Sequence, residues 1–309
     1  MSPADPVPPA APSPRVLAGY EILERISASL DGTMTFFARQ KSLGRMVTMT
    51  VLPKEQAAKP ELRDRFKRRV AVASRLKHAN IISALDAGIA AGCLYVVFEW
   101  LEGQTLGEAF NRGDTFAPER VLAIGSDMAR ALDHIAANHL VHRNVVPASV
   151  LLPDHGPAKL AGLEVAKVQQ PAGHETWLEH DTATALYSSP EHVRGTRGID
   201  FRADQYSLGC VLYHAVTGRP PLDGKTAAAI LARHVTDLPP DPRSLRSGLP
   251  DGLVRVLDRL LRKDPAERYA KPSELVRDLE SAKAGRVVER GPGTPLWKDG
   301  MLPGRLRRR

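Results

Sequence analysis

The sequence predicts an α+β fold in two parts, a small antiparallel sheet carrying one helix and then a larger, mainly helical part. Between residue 20 and about residue 97 the apolar pattern is that of short strands punctuated by Gly and Asp turns. After the apolar run 94–98 the period lengthens to that of helices. A chain of 309 residues with a 43% hydrophobic share has enough material for both parts and their core.

Taken in order, residues 1–18 carry Pro3, Pro6, Pro8, Pro9, Pro12 and Pro14, which exclude helix and sheet and predict an extended arm. Strands follow over 20–26, 35–40 and 46–52. Pro60 suits a first helical position and opens a helix to about residue 77. Leu62, Phe66, Val70, Ala73 and Leu76 fall on one face of it, and Arg63, Arg65, Lys67, Arg68 and Arg69 supply the basic remainder. A strand over 94–98 precedes helices over 118–138, 204–217, 226–235, 252–263 and 273–284. The clearest amphipathic stretch runs from 251 to 263, with Leu253, Val254, Val256, Leu257, Leu260 and Leu261 apolar. No internal repeat is present, and the Gly and Pro content beyond residue 284 predicts disorder.

Two cysteines, Cys93 and Cys210, both inside apolar runs, cannot build a disulfide framework and predict buried thiols in a reducing compartment. No apolar run reaches the length of a membrane span, and the Pro- and Ala-rich start lacks a basic leader region, so the expected location is cytoplasmic. The net charge of +8 is concentrated at the end, where Lys283, Arg286, Arg290, Lys298, Arg305, Arg307, Arg308 and Arg309 face only Glu289 and Asp299. The nearly neutral remainder argues against a nucleic-acid groove in the fold itself. The run Arg305-Leu306-Arg307-Arg308-Arg309 is read as a solvated tail, with contact to nucleic acid or anionic lipid as the alternative.

Seven short segments then occur in a telling order: 20–26, 47–52, 94–103, 142–152, 187–191, 204–209 and 264–269. With these landmarks the chain from residue 20 to about 284 resembles the bacterial, eukaryotic-like Ser/Thr protein kinases. The resemblance implies a bilobal protein-kinase-like fold over 19–284, with an N-lobe over 19–97, a hinge over 98–103 and a C-lobe over 104–284, followed by a basic tail over 285–309. It also implies structural roles for His142 and Arg143, for Asp204 as acceptor of backbone hydrogen bonds from the catalytic loop, and for an ion pair between Glu191 and Arg268. By the same likeness His78 before Asn80 is a structural histidine. Thr184 fits the family's substrate-pocket threonine, and a phosphorylation site among Thr176, Thr182 and Thr184 lacks support.

The working positions of the family are exchanged. Where relatives carry the loop HRDLKPEN, the aspartate, lysine and asparagine places hold Asn144, Val146 and Ser149, which supply neither a basic carboxylate, a cation nor a good metal ligand. The phosphate loop GxGxxG reads Ser27-Ala28-Ser29-Leu30-Asp31-Gly32, keeping one glycine and gaining an acid. The lysine of VALK is Thr50, and its helical glutamate partner is Arg69. In the KLADFG segment the metal-binding aspartate is Gly162 and the glycine is Glu164.

The resemblance therefore implies a catalytically impaired member, a pseudokinase acting through other proteins whose identity the sequence does not name. No cofactor is required. Any nucleotide binding is expected to be weak and metal-free, using Ser27, Ser29, Gly32, Thr48, Glu99, Leu101 and Leu151. Arg69 is expected to pair with Glu164. One alternative is an active Ser/Thr kinase with a non-standard site, in which Glu164 holds a metal and Arg69 reaches the phosphates. Another is an adaptor recruited through Arg305 to Arg309.

Overall fold

The computed structural model describes residues 16–29, 31–162, 167–168 and 182–297. The chain divides into two compact units: the residues up to Ser74 with Ser83–Trp100, and Arg75–Ile82 with the chain from Leu101 onward.

The first unit is a six-stranded sheet with two helices. Its strands are β1 (Val16–Leu17), β2 (Tyr20–Ala28), β3 (Met34–Gln40) and β4 (Met46–Leu52), then, after α1 (Lys54–Ala57) and α2 (Pro60–Arg75), β5 (Ala84–Ala90) and β6 (Cys93–Glu99). Every pairing is antiparallel, in the order β1-β2-β3-β4-β6-β5. The alternation of the strands separates two apolar clusters. Ala38, Val47, Met49, Val51, Tyr95 and Val97 pack with Tyr20, while Leu52, Leu94 and Val96 pack with Ala57 and Phe66. The second cluster explains α2: Leu62, Phe66 and Val70 are the predicted apolar face, lying against the sheet.

Two expectations change here, and one strand is added. The arm predicted to run to residue 18 gives way at Val16, because Val16 and Leu17 pair with Glu21 and Tyr20. Cys93 is half-exposed rather than buried, whereas Cys210 is fully buried, and both are free thiols. Strand β5 was not predicted. Its acidic Asp86 looks foreign to a strand, yet it accepts hydrogen bonds from the Tyr20 and Tyr95 hydroxyls at 3.0 and 3.4 Å.

The second unit is mainly helical. It comprises β7 (Gly103–Thr105), α3 (Leu106–Asn111), α4 (Pro118–Ala137), β8 (Leu140–Val141), β9 (Val150–Pro153), β10 (Lys159–Leu160) and β11 (Lys167–Val168). There follow α5 (Thr182–Ala185), α6 (Pro190–Val193), α7 (Phe201–Thr217), α8 (Ala227–Thr236), α9 (Pro242–Leu245), α10 (Asp251–Leu260) and α11 (Pro272–Lys283). The short strands form the ladders β10-β9-β7 and β11-β8. Helix α7 starts earlier than predicted because Asp200 caps it, its side chain accepting the Arg202 amide at 2.9 Å. Buried residues occupy nearly every turn of α7, and at Gly209 an added Cβ would come within 2.7 Å of Leu260 Cβ, so only glycine lets α10 approach so closely.

Beside these helices Arg268, 1% exposed, meets Glu191 in a bidentate pair at 2.6 and 3.0 Å. Its remaining donors reach the carbonyls of Arg262 (2.8 Å), Arg202 (2.7 Å) and Lys263 (3.3 Å), so all five guanidinium N–H groups are satisfied.

Residues 285–297, expected to be tail, instead form a strap over α10. Val288 and Trp297 are buried. Asp258 accepts the amides of Leu296 (2.6 Å) and Trp297 (3.3 Å), and the indole N–H donates to the Pro239 carbonyl at 2.9 Å. Arg255 binds the Val288 carbonyl at 2.7 Å, and Arg262 binds that of Thr294. Composition misleads here because the segment's backbone groups are satisfied by side chains of a helix far away in sequence.

Two outcomes are expected. Arg268→Met or Glu191→Leu alone lowers unfolding free energy by on the order of 3–5 kcal/mol, and the double variant recovers a large part, because a single change strands a buried charge. Denaturant titration of the three variants checks this. Trp297→Ala lowers it by about 3 kcal/mol, seen as a lower thermal midpoint.

Candidate functional site

In the first unit the phosphate-loop segment joins β2 to β3 and closes on itself. The Ser29 amide donates to the Thr33 carbonyl at 2.8 Å, and the Gly32 amide to the Ser29 carbonyl at 2.9 Å. Asp31 then gathers the turn: one carboxylate oxygen accepts the Thr33 amide (3.1 Å) and hydroxyl (2.8 Å), and the other accepts Arg69 Nη1 at 2.7 Å. The two charged side chains are 13% and 22% exposed. Burial by itself raises the Asp31 carboxyl, but the two Thr33 hydrogen bonds and the Arg69 charge outweigh it and hold the group below its ordinary value. Gly32 adopts φ +81°, and a Cβ there would lie 2.8 Å from Gln56 Cγ of α1, so this glycine serves a tight turn against a helix.

Arg69 therefore has a partner that the sequence did not suggest. Asp31 and Arg69 are both conspicuous in sequence, one as an acid among loop residues and one as a base in place of an acid. Their opposite signs were the available signal. The expected partner, Glu164, lies outside the described residues, as does Leu30.

Thr50, in the lysine place on β4, is half-buried and shares a 3.1 Å hydroxyl–hydroxyl hydrogen bond with Thr35 of β3. Thr48, two residues earlier on the same strand face, stands in register with Phe37 and Phe98. Ser27 and Ser29 are exposed, Ser27 in register with Thr35. Glu99 exchanges backbone hydrogen bonding for side-chain bonding with one neighbour: its amide donates to the Ser83 carbonyl (3.0 Å), and its carboxylate accepts the Ser83 amide (2.8 Å).

In the second unit the catalytic-loop segment is held from behind. Asp204, buried in the first turn of α7, accepts the His142 amide at 2.8 Å and the Arg143 amide at 2.7 Å. Burial pushes its carboxyl up to about 7 against the pull of these amides and of the Arg143 charge. Arg143 has φ +66°, in the left-handed region, while it makes this contact. The His142 ring accepts the Asn144 amide at Nδ1 (3.2 Å), so its proton is on Nε2 and is donated to the Ala161 carbonyl at 2.9 Å. Burial pushes the imidazole down to about 4, only partly opposed by that carbonyl.

The exchanged residues sit within this frame. Asn144 and Val146 are half-buried. The Ser149 hydroxyl is committed twice to one residue, donating to the Val146 carbonyl (2.8 Å) and accepting the Val146 amide (3.1 Å). Gly162 has φ +84° and lies where a Cβ would sit 3.6 Å from both His142 Cε1 and Ser149 Cβ. Leu151 lies in β9, in register with Lys159 and Thr105, and Leu101 is half-buried at the start of this unit's main segment. The His78 ring accepts the Asn80 amide at 3.1 Å, and Asn80 in turn donates to the Ala158 carbonyl at 3.0 Å, beside β10. Thr184 lies in α5 and is half-buried.

A curled antiparallel sheet with one long helix, and a helical unit whose buried aspartate grips an HR-containing loop, together define the protein-kinase fold. The protein kinase domain family matches residues 32–278, and the chain belongs to the protein kinase family, in its bacterial Ser/Thr branch. It is 30% identical over 269 residues to a probable serine/threonine-protein kinase of Clostridium perfringens, covering 85% of this chain and 38% of that protein. With serine/threonine-protein kinase PknB of Mycobacterium tuberculosis it shares 33% over 257 residues, covering 82% of this chain and 41% of PknB. The chain thus spans about two fifths of the length of these curated relatives. Among solved structures, the Mycobacterium tuberculosis PknI kinase domain superposes with a TM-score of 0.65 at 27% identity, covering 88% of this chain and 100% of that one.

The Asp31–Arg69 pair carries a pH signature. An acid whose folded value is depressed stabilises the fold above its unfolded value and loses that contribution as pH falls through the folded one. Asp31→Asn is expected to cost about 1 kcal/mol at pH 7, with the gap to the unmodified chain closing as pH falls below about 4. Urea unfolding of both chains across that range reads the difference.

Proposed function

We propose that this domain is a pseudokinase, a member of the Ser/Thr kinase family that works by binding other proteins and transfers phosphate poorly or not at all. The observation that carries the reading is the closure of Ser149 onto Val146 inside an otherwise preserved loop frame. Phosphoryl transfer consists mainly of positioning and charge neutralisation, with metal ions bridging the phosphates. The described residues at the metal-holding places do not fit such an ion: Ser149 has spent its hydroxyl on the backbone, and Gly162 offers no side chain. Asn144 carries an amide where a carboxylate would take the substrate's proton, and an amide is not a base at neutral pH.

The frame, by contrast, is bonded throughout its described contacts, which suits a role in recognition. The contacts of Asp204, His142, Glu191 and Arg268 hold the loop and the helices without using any catalytic side chain. No helix among the described residues is long and apolar enough to cross a membrane. The partners we propose are proteins of a Ser/Thr kinase signalling system in the cytoplasm.

Phosphate transfer to a generic Ser/Thr protein substrate and to the chain itself, measured with labelled ATP and magnesium or manganese, tests the reading. The expected rate is on the order of 1000-fold or more below that of an active relative assayed alongside. Turnover comparable to the relative, abolished by Glu164→Gln, would overturn the pseudokinase in favour of an enzyme with a relocated metal ligand.

A further inference from the structure

We infer that the Asp31 carboxylate is a resident anion that fills the phosphate cradle of the loop and latches it to α2, so that the chain excludes phosphate-bearing nucleotides. The donor set around Asp31 is that of a phosphate site: a backbone amide and a hydroxyl from Thr33 at 3.1 and 2.8 Å, and a guanidinium from Arg69 at 2.7 Å. All three converge on one carboxylate of the same loop. Among the described loop amides, those of Ser29 and Gly32 are already bonded to carbonyls within the turn.

The place where relatives carry the phosphate-holding lysine holds the neutral Thr50, which bonds to Thr35. Arg69 is thus the cation that the described loop engages, and Asp31 neutralises it. An intramolecular carboxylate competes at the effective concentration of a tethered group, in the millimolar range or above, which an incoming phosphate must exceed. Partial burial strengthens the latch, since charges shielded from water attract one another more strongly. The remaining contact, Gly32 against Gln56, keeps the turn seated on α1.

This inference deepens the pseudokinase reading at the nucleotide end and is independent of the catalytic loop. Turnover with labelled ATP would overturn both readings, because transfer requires bound ATP, whereas a phosphate-dependent shift of the unmodified chain without turnover would overturn the latch alone.

The experiment is thermal melting of the full chain and of Asp31→Asn, Asp31→Gly, Arg69→Gln and Asp31→Asn/Arg69→Gln, each with ATP, tripolyphosphate or adenosine, in the presence of chelator. The unmodified chain is expected to show no shift with any of the three. Asp31→Asn and Asp31→Gly are expected to rise with ATP and with tripolyphosphate but not with adenosine, corresponding to a gain of at least about tenfold in affinity for phosphate. The double variant should lose that gain. Asp31→Asn preserves the side-chain shape and keeps an acceptor for Thr33, so it guards against the simple unfolding that Asp31→Gly could cause. The inference is overturned if cooperatively melting Asp31 variants gain no shift, if the unmodified chain already shifts as much, if adenosine acts as well as ATP, or if the gain survives loss of Arg69.

Discussion

The contact on which the larger unit depends is the grip of Asp204 on two successive amides. A carboxylate buried in the first turn of α7 takes the N–H groups of His142 and Arg143 together, which fixes a left-handed residue in the loop and aims the His142 ring at Ala161. From Ala161 the bonding continues, its amide donating to the Ser149 carbonyl, while Leu160 beside it pairs with Asn80 and Ile82. Helix, loop, strand and the 78–82 turn are thereby tied by groups that never have to meet a substrate. Helix α7 itself is located by Arg268, which reaches the Arg202 carbonyl while holding Glu191.

Because the supporting groups and the working groups are different residues, one set can change without the other. Replacing the aspartate place by Asn144 leaves its backbone amide free to bond His142, which is all the frame asks of that position. Ser149 likewise keeps the loop closed, its hydroxyl bonding both the amide and the carbonyl of Val146. In the smaller unit the rearrangement is electrostatic: an arginine on α2 in place of an acid would be a half-buried unpaired charge, and the loop acid Asp31 resolves it.

Much of this was legible in the sequence because it is local or periodic. The apolar face of α2 and the alternation along β4 follow from spacing alone, and the Glu191–Arg268 pairing followed from the family resemblance. What escaped was long-range and polar. Strand β5 is stabilised by two tyrosine hydroxyls converging on Asp86 from β2 and β6, which no reading of 84–90 in isolation reveals. The strap over 285–297 has the composition of a disordered tail, and its order comes from Asp258, Arg255 and Arg262. The Asp31–Arg69 pair joins residues 38 apart, each noticed for its charge but matched only by the fold.

Gly162 stands in a loop that keeps room for a side chain. Its backbone is in the left-handed region, which aspartate and asparagine tolerate better than other non-glycine residues, and a Cβ placed there meets its neighbours at ordinary van der Waals distance. The missing carboxylate is therefore absent in chemistry but not crowded out in space. A Gly162→Asp side chain would therefore enter a backbone already shaped to receive it, with no neighbour obliged to move at its first carbon.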